Sequence, residues 1–194
     1  MTEVDFGIKV DAEGLIINHK AMKSLFYKPS ITAMLLLAAV AFNGCDKYDK
    51  DIVGEIEIYL LDEYNQKPES SAILNTGMVL EATPVVAYAE IIGYDATTCT
   101  FDLEPAAAAR LQDLYQSAFA VTISGEIVYT GYFWSGLSSQ IVDWVVADLV
   151  TLEMSGELKM DLGYPYLMEG MNIPDDRNDN RLLSVFHRDG KLID

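Results

Sequence analysis

One apolar run near the front of this chain constrains it most. From Ile31 to Phe42 the sequence is apolar apart from Thr32, with Lys23 and Lys28 ahead of it and Asn43-Gly44-Cys45 behind it. A positive start, a short apolar core and small residues before a cysteine are the parts of a secretory signal, whose peptidase must close around the backbone. The core is too short to span a bilayer as a mature helix, which needs about 20 apolar residues. Translation is expected to start at Met22. Residues 1–21 are then a mis-annotated N-terminal extension, 22–44 the signal peptide, 45–51 a short charged tether, and 52–194 a single globular domain.

The net charge is carried by the part of the chain beyond the signal. Glu3, Asp5, Asp11 and Glu13 cancel Lys9, Lys20, Lys23 and Lys28, so the net charge of −17 falls on the part from Cys45 onward. Such a field repels phosphate backbones, and nucleic acid is not expected as a partner. It also keeps an exported protein soluble without any specific cationic ligand. With Cys45 modified, Cys99 is the one remaining thiol, so an intramolecular disulfide cannot support the fold and the core must.

The residues around the cysteine add an address. The run to Gly44-Cys45 resembles the lipobox of bacterial lipoproteins, although Phe42 and Asn43 stand where leucine and a small residue are commoner. That resemblance implies cleavage between Gly44 and Cys45, a palmitate-type acyl anchor on Cys45, and Cys45 as the new N-terminus. More than one acyl chain gives stable membrane attachment. Residues 46–51, DKYDKD, resemble the acidic surface-export signal of Bacteroidota lipoproteins; in enterobacterial systems an aspartate in the second position accompanies retention at the inner membrane instead. Because the charge continues past that position, the outer membrane is the expected location, its side left open. YTGYFW, LGYPYLMEG and IPDDRNDNRLLSVFHRDGKLI resemble segments of Bacteroidota envelope lipoproteins of unassigned function.

Along the domain, Ile52 to Leu61 alternates Glu55 and Glu57 with Ile56 and Ile58, a strand pattern. Residues 62–71 read as a loop, and Met78 to Thr83 as a second strand. Residues 85–94 suit a strand or a helical turn equally. Thr98 to Leu103 places Cys99, Phe101 and Leu103 on one face, which makes Cys99 a core residue. Glu104-Pro105 opens a helix over about 105–117, with Ala107, Ala108, Leu111, Leu114, Tyr115 and Ala118 as its apolar stripe. Phe119 to Ser124 and Ile127 to Trp134 flank Gly125-Glu126 as a hairpin. Further strands are expected at Ile141 to Asp148 and Leu158 to Leu162, and a last hairpin about Asp189-Gly190 within Leu182 to Ile193. The fold class is α+β, one helix packed on a mostly antiparallel sheet. TFDLEPAAAARLQDL and FAVTISGEIVYTG, within about Thr100 to Trp134, resemble the periplasmic head of SecD-type translocase subunits. The resemblance does not carry translocation with it, because the membrane helices of those subunits have no counterpart here.

Sets of chemistry-bearing residues are sparse. His187 lies in LLSVFHRDG with no G-x-S-x-G elbow to serve, and is expected at a hairpin end. One histidine and one free cysteine do not make a zinc site at any recognisable spacing. Asp176, Asn178 and Asn180 repeat oxygen ligands as a calcium loop does, but Arg181 stands where its glycine belongs and His187 where its closing glutamate belongs, so a solvated loop is the better account. Tyr132, Trp134 and Trp144, beside the SGLSSQ loop, are the candidate binding face for a sugar or peptide; alternation sets Tyr132 and Trp134 opposite Tyr129 and Phe133, so at least one pair belongs to the core. No cofactor is expected. The expected function is a lipid-anchored, non-catalytic envelope lipoprotein, a binding or accessory module for a protein or glycan partner. The alternative is a lipid-anchored hydrolase using paired carboxylates.

Overall fold

A computed structural model describes residues 48, 49 and 51–193 of the chain. Residues 1–21, the signal segment 22–44, and Gly44 and Cys45 with it, lie outside the described residues. The domain is built on nine strands: β1 Ile56–Glu63, β2 Val79–Leu80, β3 Ile91–Asp95, β4 Thr100–Leu103, β5 Ala118–Ile123, β6 Glu126–Trp134, β7 Val142–Asp148, β8 Glu157–Tyr164 and β9 Leu192–Ile193. They form one sheet in the order β2-β1-β5-β6-β7-β8-β4-β3-β9. Three α-helices accompany it among the described residues: α1 Pro105–Leu111, α2 Leu149–Ser155 and α3 Asn180–Arg188, with a 3-10 turn at Tyr88–Glu90. No described helix is long and apolar enough to cross a membrane.

The two sheet faces are unequal. One carries Tyr94, Phe101, Phe119, Phe133 and Met160 under all three helices, which contribute Ala107, Leu111, Leu152, Leu182, Val185 and Phe186. The other carries a smaller cluster of Ala118, Ala120, Tyr132, Trp134, Val142 and Val146, covered by Ile73 and partly by Tyr64 and Met78 from the segment between β1 and β2, and by Leu80 of β2. Strand alternation sorts these sets: in β5, Phe119 and Val121 face the helices while Ala118 and Ala120 face away.

Several expectations need correction. The sheet is mixed, because β6 pairs parallel with β7 and β3 parallel with β9 while the other pairings are antiparallel. Among the described residues there are three α-helices, where one was expected in the domain. The helix expected over 105–117 ends at Leu111: Gln116 donates its amide to the Phe133 carbonyl, and Phe133 donates to Ser117, so the sheet draws those residues out of helical pairing. The strand expected over Met78 to Thr83 shrinks to Val79–Leu80. Residues 85–94, which suited strand and helical turn equally, form the 3-10 turn followed by β3. The hairpin turn falls on Ser124-Gly125, both at positive φ (51° and 80°), one position earlier than expected.

The expected final hairpin is a helix followed by a short strand. Asp179 caps α3 by accepting from the Arg181 amide at 2.8 Å, and Leu182, Leu183, Val185 and Phe186 form its buried stripe. Asp189-Gly190 stops the helix, with Gly190 at φ 66°, and β9 then joins β3. His187 therefore lies in the last turn of α3, exposed, with Tyr48 stacked on it at 4.6 Å. The tether is not free where it is described: the Asp49 amide donates to the Ser184 hydroxyl, and directly after the tether Arg188 donates to the carbonyls of Ile52 and Gly54.

Candidate functional site

The link between β6 and β7 shapes the second face. Parallel neighbours usually need a crossover of about a dozen residues or more, commonly helical. Here residues 135–141 make the return without a helix. The Tyr164 hydroxyl holds this loop between the carbonyls of Gly136 and Ser138, at 2.9 and 2.8 Å, and the Tyr115 hydroxyl meets that of Ser138 at 3.1 Å. Between this loop and residues 64–71 lies a cleft of about 280 Å³.

Tyr132 and Trp134 lie at the base of the cleft, with Tyr64, Gln66 and Ser71 on one side and Gln116, Gln140 and Ile141 on the other. Tyr132 is pinned through its hydroxyl, which donates to the Ser71 carbonyl at 2.9 Å and accepts from the Gln66 amide at 2.8 Å. Burial pushes this phenol up to about 12, so it stays a neutral donor throughout the physiological range. Gln116 Nε2 donates to Gln140 Oε1 at 3.0 Å, leaving the other amide atom of each without a bond among the described residues. Gln116 holds this place at φ 69°, a left-handed conformation that costs a residue with a Cβ about 1–2 kcal/mol. Its backbone bond to Phe133 offsets that cost.

The wall of residues 64–71 is clasped from outside by Asp143, which accepts from the Ser70 hydroxyl and the Ser71 amide. Burial opposes ionisation of this carboxyl, but the two donors outweigh it and hold the group below its ordinary value. A carboxylate whose folded value is depressed contributes stability above its unfolded value of about 3.9, and that contribution is lost as pH falls through the folded value. Amide protection at Ser71 is therefore expected to drop below about pH 4. Asp143→Ala should reproduce the drop at neutral pH, with a loss of about 1.5–3 kcal/mol for bonds to a charged acceptor. Hydrogen exchange followed residue by residue checks both.

The sequence-derived candidates separate in the fold. Tyr132 and Trp134 do come together on one face, beside the 135–141 loop, but they are 5% and 7% exposed and form the base of a cleft rather than an open platform. The segment carrying Ile73 covers them, which a strand pattern cannot foretell. Trp144 packs against the same cluster but does not line the cleft: its indole N–H is taken by the Thr130 hydroxyl at 3.0 Å, and it lines a separate cavity with Met78 and Pro174. Asp176, Asn178 and Asn180, read as a solvated loop in preference to a calcium loop, are not all turned to solvent: the Asn178 side chain turns inward, accepting from the Tyr94 hydroxyl and donating to the Ala96 carbonyl. Among the described residues no group of three or more His, Cys, Asp or Glu is placed to hold a metal. Cys99 is buried in the helical-face core as expected.

Carboxylates meet in several cavities: Asp113 and Glu153 line one of about 560 Å³, and Glu69, Asp143 and Glu169 one of about 540 Å³. Asp148 and Asp161 line a cavity of only about 110 Å³. Asp148 is engaged as the cap of α2 and Asp161 by Lys159 at 2.8 Å. The described carboxylates whose titration the fold moves, Glu90, Asp95, Asp143, Asp175, Asp179 and Asp189, all move downward. The acid of a glycosidase pair needs the opposite shift. Sequence reasoning missed Gln66, Gln116 and Gln140, since a glutamine carries no pattern of its own; the one available signal was their position in loops flanking an aromatic strand. No protein family, curated protein or solved structure matches this chain.

Proposed function

We propose that this chain is a Bacteroidota-type envelope lipoprotein, anchored to the outer membrane through an acylated Cys45 and non-catalytic, whose domain holds an envelope protein or glycan partner. The anchor rests on the sequence from Lys23 to Cys45. The observation that supports binding over catalysis is the lining of the cleft: two buried aromatic rings, amides and hydroxyls, with no Asp, Glu, Lys, Arg or His, in a chain of net charge −17. Ligand sites combine apolar surface with a few placed polar groups, as this cleft does, and its Tyr132 hydroxyl is held in structural bonds to Gln66 and Ser71.

Metabolic labelling with an alkyne fatty acid tests the reading. The parent chain takes up label, loses its signal and fractionates with the outer membrane. Cys45→Ser takes up none and leaves that fraction. An intact, unlabelled parent chain in the cytosol would overturn the proposal.

A further inference from the structure

The cleft also carries information about what enters it. Trp134 belongs to its lining and is only 7% exposed, yet its buried indole Nε1 has no acceptor among the described residues. Leaving a buried donor unpaired costs about 1–3 kcal/mol, so this indole, which also borders a smaller cavity of about 110 Å³, gains from any small shift of the ring that brings it an oxygen acceptor. Gln116 and Gln140 line the same cleft, and their uncommitted amide atoms are one donor and one acceptor in whichever orientation the two amides are placed. At the rim, Ile141 is 60% exposed, an apolar contact for the C–H face of a ring.

We infer that the cleft binds a neutral saccharide, taking one sugar ring against Trp134, Gln116 and Gln140. This rests on the binding-module reading and narrows its ligand to one chemical class. Sugar hydroxyls both donate and accept, which suits amides and hydroxyls of both polarities. An anionic sugar meets no cation in the lining and a strongly negative protein around it. An extended peptide gains its main-chain bonds from an open strand edge, and β6, which carries both rings, is paired on both sides. At about 280 Å³ the cleft lies near the lower limit of ligand pockets, about 300 Å³, with room for one ring and not for a folded partner segment.

The chain has two tryptophans, so its indole N–H resonances are separable. The full chain, ¹⁵N-labelled and kept in a detergent without a sugar headgroup, is titrated with neutral hexose and N-acetylhexosamine disaccharides. Glucuronate and an uncharged tripeptide serve as controls. At least one neutral sugar is expected to shift the Trp134 indole resonance while Trp144, already bonded to Thr130, stays in place. Gln140→Ala, an exposed loop change that leaves the core alone, should weaken that binding at least fivefold. Trp134→Phe, which removes the reporting resonance itself, should weaken binding further when it is read by calorimetry. Absence of any shift across the neutral sugars overturns the inference, as does equal binding by Gln140→Ala. A response to the tripeptide alone overturns the saccharide assignment and leaves the binding-module reading standing, whereas failure of Cys45 labelling overturns the anchored reading and leaves the saccharide result intact.

Discussion

Phe186→Ala is expected to lower the melting temperature by about 10 °C or more. Phe186 is fully buried on α3, stacked on Tyr94 at 4.9 Å and edge-on to Phe101 at 6.0 Å. Those two rings lie on β3 and β4, so this one side chain fastens the helix to that end of the sheet. Truncating a buried phenylalanine costs about 3–5 kcal/mol, through lost transfer energy and the cavity left behind. A domain of this size has about 5–15 kcal/mol in total, and each kcal/mol corresponds to about 2–4 °C. Phe186→Leu, which refills most of the space, should lose clearly less. Thermal unfolding of the two variants beside the parent decides the matter: an alanine variant melting within about 2 °C of the parent would mean that α3 is not packed as described.

Gly131→Ala is expected to be damaging for a different reason. Its backbone is not in the left-handed region, so the difficulty is space alone. A Cβ there would lie 2.5 Å from Phe119 Cζ and 2.8 Å from the Val145 carbonyl oxygen. The Phe119 ring is fully buried and packed on Phe133 at 4.9 Å, and Val145 belongs to the neighbouring strand β7, so neither can retreat. Overpacking of this kind costs about 1–3 kcal/mol, and the backbone contact places this site at the upper end. Combining it with Phe119→Leu should recover part of the loss, because the ring clash is relieved while the carbonyl clash remains. Urea unfolding of the single and double variants provides the check. Because Gly131 directly precedes Tyr132, the single variant should also disturb the Gln66–Tyr132–Ser71 bonds of the cleft.

Strands β1, β4 and β8 were legible in the sequence through period-two alternation, and β5 and β6 as two runs rich in β-branched and aromatic residues flanking a turn. The turn at Ser124-Gly125 was legible within one position. The two added helices had signals that went unused. Asp148 caps α2 and Gly156 ends it at φ 80°, but the apolar run of β7 continues directly into the helix and masks the change of period. In α3 the spacing of Leu182, Leu183, Val185 and Phe186 is helical. The Asp-Gly pair that suggested a hairpin serves equally well as a helix stop, because both uses require only a residue that tolerates positive φ.

From the residues alone came the α+β class, the acidic surface that disfavours anions, the core role of Cys99 and the division of Tyr132 and Trp134 from Tyr129 and Phe133 across one strand. These stem from local chemistry and alternation, which any stretch of chain carries with it. The parallel pairing of β6 with β7, the burial of Tyr132 and Trp134 beneath residues 64–73, and the meeting of Gln66, Gln116 and Gln140 around them belong to the tertiary structure. They join positions far apart in the chain, and which segment covers which face is settled by packing the whole sheet against its helices and loops.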